Sequence, residues 1–274
     1  MSNVDPKTVS SFGNEWNDFD QCKMLDIESQ KVFNEYFSIF PFNLLTSDSE
    51  GFDMGCGSGR WARLIAPKVK KLHCIDPSSA IEVARKNLSD FNNIVFHESS
   101  ADEVLLSKHS QDFGYSLGVL HHVPDTEKAI KSCSDLLKKG APLLLYLYYK
   151  FDNRPFFYKI IWSISDVFRH LIYHLPFRIR RLVTDIIAMI VYFPLAKISR
   201  ILELLGVNVS DIPLSYYKDH TFYTMRTDSR DRFGTPLEKR FTKSQIEKMM
   251  KNSNLENILF SDKAPYWCVV GTKV

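Results

Sequence analysis

The stretch Asp53-Met54-Gly55-Cys56-Gly57-Ser58-Gly59 limits what this chain can fold into more than any other. Glycines at 55, 57 and 59 let the backbone turn sharply and admit a ligand without a Cβ in the way. Before the loop, Phe52 and Met54 predict a first strand, a short one because the run Asp48-Ser49-Glu50 precedes it. After the loop, the pattern predicts a helix over 60–66, stopped by Pro67. The unsatisfied N–H groups at that helix start suit an anionic or zwitterionic ligand. The spacing is not the dinucleotide fingerprint: counted from Gly55, G-x-G-x-x-G puts its third glycine at Arg60. Strand, glycine loop and helix in this order predict an α/β sheet shaped to hold a nucleoside.

Further segments follow in a fixed order. Leu72-His73-Cys74-Ile75 predicts a second strand ending in Asp76, and Ile94-Val95-Phe96 a third, followed by Ser99-Ser100-Ala101-Asp102. A fourth strand, 113–117, opens into Gly118-Val119-Leu120-His121-His122-Val123-Pro124-Asp125. A helix over 125–137 stops at Lys138-Lys139-Gly140, and 143–149 is continuous and apolar enough for a central fifth strand. On these residues, the acidic-x-G-x-G-x-G loop first, the chain resembles the class I S-adenosylmethionine (SAM) methyltransferases. In pattern it is similar to their small-molecule group, which includes the ubiquinone and menaquinone biosynthesis methyltransferases. The resemblance covers 51–149 and, more weakly, 242–274. There Thr242 and Gln245 predict a capping box, and 255–260 and 266–272 two closing strands.

The resemblance implies a seven-stranded Rossmann-like methyltransferase sheet, mostly parallel, with an antiparallel closing hairpin and a helical insertion between strands 5 and 6. It implies SAM as cofactor, held by Asp53, Gly55, Gly57 and Gly59, with Gly118 at the crevice. Asp76, with Pro77 beside it, stands where a carboxylate accepts from both ribose hydroxyls, although a helix N-cap role would also suit it. The loop carrying Ser100, Ala101 and Asp102 lies against adenine in the family. Here either the Ser100 hydroxyl replaces the usual carboxylate or Asp102 reaches in. Methyl transfer is an in-line displacement that needs positioning, a dry pocket and, for a hydroxyl or amine acceptor, a base. His122 and His121 stand where that base belongs, or serve as loop anchors. Tyr146, Tyr148 and Arg240 are candidates for substrate binding. The chain lacks the Asn/Asp-Pro-Pro-aromatic run of nucleic-acid amino-methyltransferases, which predicts no nucleic-acid partner. It also lacks the Glu-Val-x-Glu-His of metal-dependent quinone O-methyltransferases, which predicts no metal.

The rest of the chain sets the context. Five scattered cysteines, Cys22, Cys56, Cys74, Cys133 and Cys268, without C-x-x-C spacing, read as small buried hydrophobes in a reducing compartment. No basic-then-apolar leader is visible and no apolar run approaches 18 residues, so the expectation is a cytoplasmic protein. Met1 to Gln21 is polar but carries Phe12 and Trp16, so it is expected to dock, either over the cofactor or on the domain's flank. A helix is expected over 30–40. The segments 1–41, 42–149, 150–239 and 240–274 read as N-terminal cover, SAM-binding core, helical cap, and closing helix with strands. Within the cap, apolar spacing predicts three amphipathic helices separated by Pro176, Pro194 and Gly206, then a loop over 211–239. Nine basic residues against three aspartates between 150 and 200 suit either a soluble lid or peripheral contact with an anionic membrane. The expected function is methyl transfer from SAM to a small molecule, lipid- or sugar-linked in one version. The alternative is a non-catalytic SAM-binding partner or scaffold.

Overall fold

The computed structural model describes residues 2–20 and 26–274, so Cys22 and Gln21 lie outside the described residues. The chain divides into two units, Met1–Tyr149 with Leu237–Val274, and Lys150–Pro236.

The first unit begins with α1 (Pro6–Asp18), N-capped by the Asp5 side chain accepting from the Thr8 N–H at 2.8 Å. Its buried residues are Thr8, Ser11, Gly13 and Glu15, a stripe without apolar periodicity, which is why the sequence shows only two docking aromatics here. The second helix, α2 (Asp26–Tyr36), starts and ends about a turn earlier than expected. Phe37 and Phe40 remain buried in the turn after it. The first strand, β1 (Glu50–Met54), lies between two partners although few of its residues are apolar. Aromatic rings from the facing strand compensate. Gly51 pairs with Phe113, whose ring fills the space a Cβ would take, and Gly114 stands likewise under Phe52. Then come α3 (Ala62–Ile65), β2 (Lys71–Ile75), α4 (Ala80–Asn87), β3 (Ile94–His97) and β4 (Phe113–Leu117). They are followed by α5 (Thr126–Leu136), capped by Asp125, and β5 (Pro142–Tyr146). β5 ends before the expected Tyr149 because its neighbours' registers stop at Tyr146.

The second unit contains α6 (Phe156–Ile172), α7 (Phe177–Leu204) and α8 (Phe222–Gly234). Two expectations fail here. Pro194 does not end a helix: a π turn over Ala188–Tyr192, in which the Phe193 N–H reaches Ala188 O, widens the coil just before the proline. The result is one helix of 28 residues, long and apolar enough to cross a membrane by length and composition. Nor is 211–239 a loop throughout. α8 starts at Thr221, which accepts from the Thr224 N–H, and it buries Thr224, Thr227, Ser229 and Arg230. A helix that buries polar residues leaves no apolar stripe to read. Ion pairs hold it: Arg226 and Arg230 meet Asp185 of α7 at 2.7 and 3.2 Å, and Arg232 meets Asp166 of α6 at 3.5 Å. The apolar centre of this unit is small, consisting of Ile172, Tyr192, Ala196, Met225 and Phe233 with partly buried neighbours.

The chain returns to the first unit with α9 (Lys243–Asn252), whose Thr242–Gln245 capping box forms as predicted, then β6 (Leu255–Phe260) and β7 (Cys268–Lys273). The sheet order is β3-β2-β1-β4-β5-β7-β6. β7 runs antiparallel to both β5 and β6, and the other pairings are parallel. This is the expected seven-stranded sheet. Cores fill both of its faces, with Phe33, Trp61, Leu72 and Tyr115 in one cluster and Phe52, Ile130, Leu145 and Met250 in the other. The order reverses between β1 and β4, which puts the crevice at their carboxyl ends.

Candidate functional site

The glycine loop sits at that reversal. Gly55 N–H and Cys56 N–H donate to Ile75 O at 2.7 and 3.0 Å, pinning the loop to the end of β2. Gly55 has φ +79° and Gly57 φ +53°, left-handed values that favour glycine. A Cβ on Gly55 would meet the Val119 side chain at 2.4 Å, and one on Gly57 would meet the Trp16 indole at 3.1 Å. Trp16 of α1 therefore roofs the loop, and Arg60 reaches over the same indole.

Two carboxylates flank the loop. Asp53 is fully buried on β1 between Cys74 and Tyr115 in register, and neither of its oxygens has a well-aligned hydrogen bond among the described residues. Burial pushes its carboxyl up to about 8; the Tyr115 hydroxyl holds the rise back, the Asp76 charge adds to it and Arg60 opposes it. Asp76, at the tip of β2, accepts from Gly57 N–H at 2.9 Å and from the Ser78 N–H and hydroxyl at 2.9 and 2.6 Å. Burial raises its carboxyl against those bonds. Asp76 thus braces the loop as well as facing the crevice edge, and Pro77 begins the turn it closes. A buried acid lacking aligned donors beside a glycine cradle fits a ligand carrying amino and hydroxyl groups.

The loop carrying Ser100, Ala101 and Asp102 is braced by the N-terminal segment. The Ser100 hydroxyl donates to Asp102 at 2.9 Å, and Asp102 also receives Asn3 N–H at 3.1 Å and Lys128 Nζ at 2.9 Å. Burial alone would raise the Asp102 carboxyl, but the bonds from Lys128, Ser100 and Asn3 outweigh it and hold it low. Asn3 also exchanges two hydrogen bonds with the Asp125 backbone, at 2.7 and 2.8 Å. Ala101 packs on the core beneath β1 and β5. Sequence reasoning had no signal for Asn3.

Beyond β4, Gly118 at φ +81° donates to Tyr146 O at 3.1 Å, and the chain turns into a single 3-10 turn carrying both histidines. His122 Nδ1 lies 2.6 Å from Leu237 O. A carbonyl only accepts, so Nδ1 carries a proton, and in the neutral ring the lone pair falls on Nε2. Phe12 stands edge-on to His122 at 4.9 Å, and Tyr148 stands edge-on at 5.5 Å. His121 is fully buried and stacks on Tyr148 at 3.8 Å. Burial, then the neighbouring His122 and Arg240, hold its ring well below the usual histidine range, and so neutral. Tyr146 meets Tyr148 at 5.8 Å and Tyr36 at 5.0 Å. Arg240 lies 5.0 Å over the Tyr148 ring, and its charge is met by Glu238 at 2.8 Å. An acidic substrate group therefore faces an ion pair there rather than a lone cation. Glu238 left no more trace in the sequence than alternating charge.

The structure brings together Asp53, Gly55, Gly57 and Asp76 in one cluster, and His121, His122, Tyr146, Tyr148 and Arg240 in a second, joined by Gly118 and Val119. The chain leaves this unit after Tyr149 and returns at Leu237, where Phe241 N–H donates to Tyr148 O at 2.9 Å and Lys239 N–H to His121 O at 3.0 Å.

Comparison with known proteins places part of the first unit in a known family of domains. Residues 52–145 match the family described as a methyltransferase domain. The chain is 29% identical over 93 residues to a ubiquinone biosynthesis O-methyltransferase of Coxiella burnetii, covering 33% of this chain and 40% of that one. It is 32% identical over 122 residues to a tRNA U34 carboxymethyltransferase of Sulfurovum sp., covering 42% and 40%. The chain thus spans about two fifths of these curated relatives. A possible exported protein from Bordetella parapertussis shares the fold at 12% identity, with a TM-score of 0.53 over 98% of this chain and 80% of that one.

Proposed function

We propose that this chain, whose residues 52–145 are a class I SAM-dependent methyltransferase domain, methylates a hydroxyl group of a small-molecule acceptor. The observation that carries the reading is His122, fixed by Leu237 O as the tautomer whose Nε2 accepts a proton. The relatives named for quinone O-methylation support oxygen as the acceptor atom.

SAM, when bound, supplies a methyl group on a sulfonium sulfur. The glycine loop and Asp76 would hold the nucleoside end, and Asp53 would face its amino-acid end through the loop. Trp16 covers the loop at Gly57. His122 Nε2 would take the acceptor's hydroxyl proton while bound SAM would supply the methyl group to that oxygen. The products are a methyl ether, S-adenosylhomocysteine and a protonated His122. His121, fully buried, fixes Tyr148 and so the wall behind His122. A lipid- or sugar-linked acceptor belongs to this same reading, because only the reacting hydroxyl need reach His122.

The test is release of S-adenosylhomocysteine from labelled SAM with phenols, catechols and polyprenylated phenols, and with tRNA as the contrasting acceptor. Turnover on hydroxyl acceptors and none on tRNA is expected. SAM binding without turnover on any of them would leave a SAM-binding partner protein, and methylation of tRNA would replace the acceptor class.

A further inference from the structure

The Lys150–Pro236 unit is built inside out. In the middle of α6 the inward side is polar: Ser165, Asp166 and the buried Arg169 meet one another and Arg232 of α8, and the buried Ile172 closes the helix on the small apolar centre. Its outward residues are apolar, with Ile160, Ile164 and Phe168 at 47%, 56% and 55% exposure. α7 repeats the pattern. Thr184, Ala188, Ala196 and Ser199 are its fully buried positions, while Leu182, Ile190 and Phe193 are exposed. Only 28% of its apolar window is buried. Small and polar residues inside with large apolar residues outside is the packing of a helix whose solvent is lipid.

Charge narrows the occupant. Lys150–Pro236 holds 13 basic and 8 acidic residues in a chain of net charge +3, so the excess positive charge sits here. Lys159, Arg178 and Lys197 are exposed on these same helices and form no ion pair among the described residues. A second copy docking face to face would bring like charges together. An anionic surface would meet them. The depth is also bounded. Residues 186–196 of α7 carry no charge, and at about 1.5 Å per residue they reach roughly half of a ~30 Å hydrocarbon core. Such a stretch suits burial in one leaflet rather than a crossing.

We propose that Lys150–Pro236 is a monotopic docking element that sinks the outward faces of α6 and α7 into an anionic lipid leaflet, with Lys159, Arg178 and Lys197 at the headgroups. Docking stands apart from methyl transfer and is tested without SAM or acceptor. The full chain is sedimented with phosphatidylcholine vesicles and with vesicles containing 30% phosphatidylglycerol. Binding to the anionic vesicles at least tenfold stronger is expected. Ile160→Gln with Ile164→Gln and Phe168→Gln, and separately Leu182→Gln with Ile190→Gln and Phe193→Gln, lower it by at least tenfold, with SAM affinity reporting that the first unit is intact. Lys159→Gln with Lys197→Gln weakens only the anionic binding, by about fivefold per side chain, and tests the proposal even where an apolar variant fails to fold. A wild-type chain left in the supernatant with both vesicle types overturns the proposal. So does lipid-free light scattering that shows a dimer which the apolar substitutions dissociate while vesicle binding is absent.

Discussion

At the scale of single residues, the two adjacent histidines carry different work. In the proposed reaction His122→Ala removes the proton acceptor, so it is expected to lower kcat by about 10²- to 10⁴-fold while the SAM dissociation constant, measured by calorimetry, stays unchanged. His121→Ala empties a fully buried site against Tyr148 and is expected to cost about 2–3 kcal/mol in denaturant unfolding. Equal loss of kcat with intact stability in both variants would contradict the assignment. Asp53 makes stability depend on pH. Its carboxyl is neutral in the folded protein up to about 8 and ionises near 3.8 when exposed, so between those values the unfolded chain holds fewer protons. The contribution is complete below pH 4 and is lost as pH rises through about 8. The melting temperature of the ligand-free protein should therefore fall more steeply between pH 6 and 8.5 than that of Asp53→Asn, and equal slopes would show that the group does not control it. The sequence placed Asp53, Asp76 and the histidines at the crevice because the turns and strand ends that carry them are local. It could not show that Leu237, far along the chain, sets the His122 tautomer, nor that Glu238 neutralises Arg240. Long-range pairings of that kind leave no periodicity.

At the scale of elements, strands β4 and β6 and the helix caps were legible because alternation and capping chemistry are written in consecutive residues. Helices α1 and α8 were not, because both bury polar faces and hold them with side-chain hydrogen bonds or ion pairs. α7 was misread at Pro194 because the rule that proline ends a helix assumes an unaltered coil, and a π turn relieves that clash. The packing of α1 on the loop gives a test. Trp16→Ala uncovers Gly57 and is expected to raise the SAM dissociation constant about tenfold, a change of about 1.4 kcal/mol, with little change in melting temperature. An unchanged SAM affinity would place α1 outside the cofactor site.

At the scale of the whole molecule, the two units obey opposite solvent rules. The first buries Phe52, Ile75, Leu143 and their neighbours and exposes few large apolar side chains, while the second carries most of those that are exposed. Surface charge on the second unit makes its lipid affinity depend on ionic strength. Raising salt from 0.15 to 0.5 M is expected to weaken binding to anionic vesicles several-fold and to leave SAM affinity within twofold. Salt-independent sedimentation would mean that apolar burial alone holds the chain on lipid. The bond from Phe241 to the Tyr148 carbonyl has a consequence for how such a protein diversifies. Within the first unit, the segment before Lys150 and the segment after Pro236 are held together beside β5, and none of the seven strands lies between them in sequence. Another module with the same two ends could replace the second unit while every sheet pairing stayed as it is.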